Sequence, residues 1–230
     1  MPFRSSLATA LAVILTAGTA LAHGDVAPQP VNTDALPDVG EEWLIENPYR
    51  ADKVGDEAWA KAIEIGASGY NQNCARCHGL EVVSGGLAPD LRFLEAEEYG
   101  DEWYMERFRL GYTQNGTTKM PAFEEVLGQK AGWAIRTYIE TRPDDEGMAE
   151  ASDELKGIRD QLAGWEENPD GADSAPVQAR LAEIAAGIET LSGAPVADSV
   201  AWRAANILAA NPEAYGQAAE VLTIGLSAAH

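Results

Sequence analysis

The sequence is short of cysteine, histidine and positive charge, and each shortage removes a class of function. Only two of its 230 residues are cysteine, Cys74 and Cys77, and only three are histidine, His23, His78 and His230. A zinc site therefore lacks its further Cys or His ligands. Sixteen Lys and Arg stand against 37 Asp and Glu, a formal charge of −21. That excess repels phosphate backbones and anionic lipid, so no nucleic acid is expected as a partner. Beyond residue 22 no apolar run is long enough to cross a bilayer, which excludes stable membrane insertion of the mature chain. Internal repeats, low-complexity runs and persuasive strand alternation are also missing, so the fold class expected is all-α.

What is present is enough to build a core. Hydrophobic residues make up 46% of the chain and charged ones 23%, close to the average for globular proteins. The first 22 residues have the pattern of a secretory signal peptide: Arg4, an apolar stretch through Leu11–Leu15, and Ala20-Leu21-Ala22 as an A-x-A cleavage site. Cleavage after Ala22 would deliver a periplasmic protein and place both cysteines in an oxidising compartment.

Residues 23–55 are rich in proline, with Pro28, Pro30, Pro37 and Pro48, which suits an extended arm pinned by Trp43 and Tyr49. A central domain over 56–146 follows. Trp59, Ile63, Gly66 and Tyr70 share one face of a helix that leads into the cysteines. A short helix over 101–110 ends at Gly111, and loops fill 79–91 and the stretch to Phe123. Ala131, Ile135, Tyr138 and Ile139 mark a helix over 129–142, stopped by Pro143. After the acidic break at 144–147 the composition turns Ala-rich and acidic. Residues 147–230 read as three or four helices forming a separable extension, with starts near Asp198 and Asn211-Pro212.

The chemistry concentrates in Cys74-Ala75-Arg76-Cys77-His78. Two thiols at this spacing can each add across a haem vinyl group, and the adjacent imidazole then binds the iron. A disulfide, a thioredoxin-like pair and half a zinc site are the competing readings. The redox pair wants a preceding strand in a βαβ unit, which is absent here. One covalent haem c, held by Cys74 and Cys77 with His78 as metal ligand, is therefore expected. Met120, in the polar loop Gly116–Phe123, is the candidate second metal ligand. Met105 competes for that role, but the aromatic residues Trp103, Tyr104 and Phe108 beside it favour packing. Met148 falls at the domain boundary.

These residues resemble the class I c-type cytochromes. Gly66-x-x-x-Tyr70-x-x-x-Cys74 is similar to their N-terminal helix, and Ile135 and Tyr138 to the C-terminal helix that crosses it, with Gly66 permitting close approach. Gly86-Leu-Ala-Pro89-Asp-Leu91 resembles the loop whose proline carbonyl accepts the axial histidine's Nδ1 proton, which implies a cofactor-binding role for Pro89. Gly40–Trp43, Glu46–Arg50 and Gly66–Arg92 resemble, more narrowly, the periplasmic cytochromes that accept electrons from quinoprotein alcohol dehydrogenases. The resemblance covers roughly residues 25–142. It implies a class I cytochrome c fold carrying an additional C-terminal helical segment.

An electron carrier rather than an enzyme is the expectation, with such a dehydrogenase as donor and a cytochrome or terminal oxidase as acceptor. The alternatives are a haem-based peroxidase-like enzyme, which would need a distal acid–base residue that no spare histidine supplies, and a redox or gas sensor with the helical tail as output. Arg92, Arg107 and Arg109 are candidates to neutralise the haem propionates.

Overall fold

In the computed structural model, residues 27–228 are described; the expected signal peptide and cleavage site, His23 and His230 lie outside them. Residues 27–50 form an arm without regular structure, followed by a single helical turn, α1 (Ala51–Val54). Gly55, at φ 78°, breaks that turn and precedes α2 (Asp56–Asn73), whose first turn carries Asp56 and Glu57. Carboxylates there complement the partial positive charge of the helix start. The buried stripe of α2 is Ala62, Ile63, Gly66, Gly69 and Tyr70.

That stripe crosses α5 (Glu124–Glu140), the most deeply buried element of this half of the chain. The crossing depends on Gly66, because a Cβ there would lie 2.0 Å from the Ala134 carbonyl oxygen. Between them in sequence runs α4 (Glu98–Leu110), ended by Gly111 as expected. Its Tyr104 hydroxyl donates to the Gly132 carbonyl at 3.1 Å, and its Phe108 ring lies against Gly132 and Phe123. Leu36, Tyr49, Tyr70, Phe108, Trp133, Ile135 and Tyr138 belong to this first core. The arm is stitched to it: the Tyr49 hydroxyl donates to Pro37 O at 2.9 Å, and Gln129 bridges the backbones of Glu42 and Leu44.

The expectation of no strand is corrected by a small antiparallel hairpin, β1 (Tyr112–Gln114) with β2 (Thr117–Met120). Its signal was Asn115-Gly116 between Thr-rich flanks. Both turn residues have positive φ, 51° and 74°, as a two-residue hairpin turn requires. Helix α5 also begins earlier than expected, at Glu124, with a kink at Gly128 (φ 69°).

The remaining helices are α6 (Asp145–Glu167), α7 (Ser174–Gly187), α8 (Val200–Ala210) and α9 (Tyr215–Ala228). They surround a second core that includes Met148, Leu155, Leu162, Leu181, Ala204, Leu208 and Leu222. The acidic run read as a break is the cap and first turn of α6, with the Asp144 side chain accepting from Glu146 N. Residue 147 thus lies inside a helix. Helix α8 is capped by Ser199 rather than Asp198, and Asn211 closes α8 instead of opening α9. Local propensity reads these neighbours as equivalent caps; a long-range ion pair decides the first case, because Asp198 is engaged elsewhere.

The two cores meet along a seam. Asp144 N–H donates to Glu189 O, Ala96 N–H to Ser192 O and the Ser192 hydroxyl to Glu140 O, while Ala197 packs into the first core.

Candidate functional site

The C-terminal end of α2 delivers the cysteine motif. Cys74 caps that helix with its N–H on Tyr70 O at 2.7 Å, and one further helical turn, α3 (Ala75–His78), follows at once. Cys77 N–H and His78 N–H both donate to Cys74 O, at 3.1 and 3.0 Å. Residues at i, i+3 and i+4 of such a turn share a face, so both thiols and the imidazole are presented together. Both cysteines are free thiols, Cys77 exposed and Cys74 half-buried.

Gly79 ends the turn at φ 86°, and a Cβ there would lie 1.8 Å from Val83 O. The Tyr70 hydroxyl donates to the Gly79 carbonyl at 2.8 Å. Next come two non-glycine residues with left-handed backbone, Glu81 (φ 56°) and the fully buried, β-branched Val82 (φ 67°). Such conformations cost about 1–3 kcal/mol each and persist only where the surroundings impose them.

The His78 ring is buried, with Nδ1 2.9 Å from the Pro89 carbonyl oxygen. Burial pulls the imidazole below its ordinary range, while the Pro89 hydrogen bond and Asp90 oppose that shift. A neutral ring donating from Nδ1 keeps Nε2 for a metal. The Pro89 loop is itself braced. Ser84 Oγ donates to Ala88 O, and Asp90 accepts from Arg92 N at 3.0 Å while pairing with its guanidinium at 2.7 Å.

Met120 ends β2, half-buried at the edge of the first core that also receives Cys74. It pairs with Tyr112 across the hairpin, and its carbonyl approaches Gly111 so closely that a Cβ there would be 2.5 Å away. Phe123 N–H on Phe108 O closes the loop at 2.9 Å. Met105 is buried within the first core and Met148 within the second.

The donor set is two unbridged thiols on one turn, an imidazole with Nδ1 already engaged and a thioether. It fits a covalently attached haem. Among the described residues no group of His, Cys, Asp and Glu could hold a metal ion by itself. Sequence reasoning passed over Glu81 and Arg142 and read Tyr70 only as part of its helix, not as a partner of the turn; all three surround the turn in the fold. Arg92, Arg107 and Arg109 each already have a carboxylate partner: Asp90, Glu106 and Glu124.

Helices crossing at a glycine, with a C-x-x-C-H turn at the end of one of them, define a c-type cytochrome, and comparison with known proteins agrees. The chain belongs to the cytochrome c family: it is 50% identical over 136 residues to cytochrome c550 of Pseudomonas aeruginosa, covering 59% of this chain and 92% of that protein. The family model for cytochrome C oxidase, cbb3-type, subunit III matches residues 61–139. Weaker similarity joins it to two quinohemoprotein alcohol dehydrogenases of Pseudomonas putida. ADH-IIG is 33% identical over 84 residues (36% of this chain, 11% of that protein), and ADH IIB is 28% identical over 104 residues (44% and 14%). No solved structure gives a significant match. The chain is thus an electron carrier of all-α cytochrome c fold with covalently bound haem c, and it is not an enzyme. No helix among the described residues is long and apolar enough to cross a membrane.

Proposed function

We propose that this cytochrome works in the periplasm, after cleavage following Ala22, taking single electrons from a quinoprotein alcohol dehydrogenase and passing them to a downstream cytochrome or terminal oxidase. Haem c supplies the Fe(III)/Fe(II) couple. Cys74 and Cys77 would hold it covalently, His78 and Met120 would ligate its iron, and the Pro89 carbonyl would orient the His78 ring. A cysteine pair on one turn would fix the attachment, and keeping His78 and Met120 bound in both oxidation states would leave little to rearrange. Thioether ligation by Met120 favours Fe(II) and raises the potential relative to two nitrogen ligands. In domain terms, residues 23–55 form the arm and the cytochrome domain runs from 56, with the helical extension beginning at α6 (Asp145–Glu167) rather than at residue 147.

The observation that carries the ligand reading is the 2.9 Å contact between His78 Nδ1 and Pro89 O, beside two free thiols on the same turn. The donor reading rests on the similarity to segments of two proteins whose names join a haem, a quinone and alcohol dehydrogenation. The test is stopped-flow reduction of the purified cytochrome by a quinoprotein alcohol dehydrogenase plus alcohol. Reduction within the enzyme's turnover time is expected, and no reduction at any ionic strength would contradict the donor.

A further inference from the structure

The turn that carries the haem does not end in a relaxed loop. Glu81 and Val82 are both left-handed, and Val82 is fully buried and β-branched, so something must hold this backbone in place. The Glu81 carboxylate reaches Arg142 Nη2 at 2.8 Å. Arg142 stands just past α5 and is only 2% exposed. Its guanidinium lies 4.9 Å from the Tyr138 ring centroid, Tyr138 lies 5.4 Å from Tyr70, and the Tyr70 hydroxyl holds the Gly79 carbonyl. Arg142 therefore grips the loop twice, directly at Glu81 and through two tyrosines in tilted contact at Gly79.

Its other side belongs to the C-terminal helices. Arg142 Nη1 donates to Asp198 Oδ2 at 2.5 Å and Nη2 to the Asp198 carbonyl at 2.9 Å. Arg203, on α8, lies 3.0 Å from Asp198 and 3.9 Å from Glu81. Buried ion pairs of this kind add little net stability over packed apolar residues, but they fix geometry. Separate packing of the second core would require none of them.

We infer that Arg142 is a positioning residue for the haem-attachment loop, and that Asp198 and Arg203 of the C-terminal extension brace the loop through it. The extension thereby keeps the loop closed over buried Val82 and holds the reduction potential up. This rests on attachment at Cys74 and Cys77, which peptide mapping of the wild-type holoprotein checks separately.

The sign of a potential shift separates the brace from simple charge. Asp198→Asn removes a negative charge, which by field alone would raise the potential. A loosened loop instead admits water, which favours the more highly charged Fe(III) form and lowers it. In full-length holoprotein, Asp198→Asn is expected to lower the potential and to speed amide exchange across Gly79–Ser84 by about tenfold, the loss of one hydrogen bond to a charged group. Arg142→Gln should do the same, and Arg142→Lys, which keeps the charge but loses the two-sided fork, should fall between. Arg180→Ala, which breaks the Arg180–Glu154 pair elsewhere on the extension, should change neither quantity. Should Asp198→Asn fail to fold, Arg142→Lys carries the potential test because it keeps the charge, and amide exchange in both Arg142 variants carries the rest. Wild-type exchange in the loop, a potential that rises in Asp198→Asn, or an equal change in Arg180→Ala would overturn the inference.

Discussion

Methionine ligates iron through a soft thioether, so its loss has a signed consequence at the scale of one residue. Met120→Ala is expected to abolish the Met–Fe(III) charge-transfer band and lower the reduction potential, whereas Met105→Leu, at a buried packing position, keeps both. Loss of the band in Met105→Leu instead would show that the ligand is the other sulfur. Glycine positions give a second class of test. Gly79→Ala would put a Cβ 1.8 Å from Val83 O at φ 86°, so its denaturation midpoint should fall by an amount equivalent to roughly 2 kcal/mol or more. Wild-type stability in that variant would mean that the turn after His78 tolerates a different backbone. That Cys74, Cys77 and His78 share one turn was legible in the sequence because their spacing is local, whereas the Pro89 contact with His78 was implied only by the family resemblance. Glu81 was not legible. Read alone it is an ordinary surface acid, and only the fold brings Arg142 to it.

Helix α5 shows how an element can bury charge when its neighbours supply the partners. Arg136 and Asp101 are both fully buried and 2.9 Å apart, and Arg50 from the end of the arm pairs with both Asp101 and Glu140, at 2.8 and 2.9 Å. Asn47 joins them, its side-chain amide donating to Thr137 and Glu140. The arm is thus fastened to α4 and α5 by a polar network as well as by Tyr49. Asp101→Ala leaves buried Arg136 with only the more distant Glu140 carboxylate, at 3.7 Å, and is expected to cost about 3 kcal/mol of stability, measured by denaturant unfolding. A loss below ~1 kcal/mol would mean that the network is neutral decoration. The apolar stripes of α2 and α5 were readable from their spacing, and Gly66 from its place between them. The buried Arg136 and Glu140 were not, since in sequence they sit among ordinary helix-surface charges. The hairpin was missed because its strands are short, exposed and polar, so that only Asn115-Gly116 marked it.

At the scale of the whole molecule, charge and connectivity decide how the carrier meets others. A formal charge of −21 makes the protein a partner for basic surfaces, so its reduction by a dehydrogenase presenting one should slow as salt is added. A rate that rises with salt would reject the steering while leaving electron carriage intact. The change of composition near residue 147 showed that a second helical unit follows. It could not show the seam through Asp144, Glu189, Ser192 and Asp198, because backbone hydrogen bonds leave no trace in residue type and the side-chain bonds of Ser192 and Asp198 join distant segments. All of this rests on one bond type, the thioethers to Cys74 and Cys77. The direct measurement is to boil the purified protein in denaturant, extract it with acidified solvent and map the peptides of a glutamate-specific digest, which leaves Cys74 to His78 on one peptide between Glu64 and Glu81. The haem should stay on the polypeptide, on the peptide containing Cys74 to His78; haem that extracts freely, or maps to any other peptide, would contradict the account.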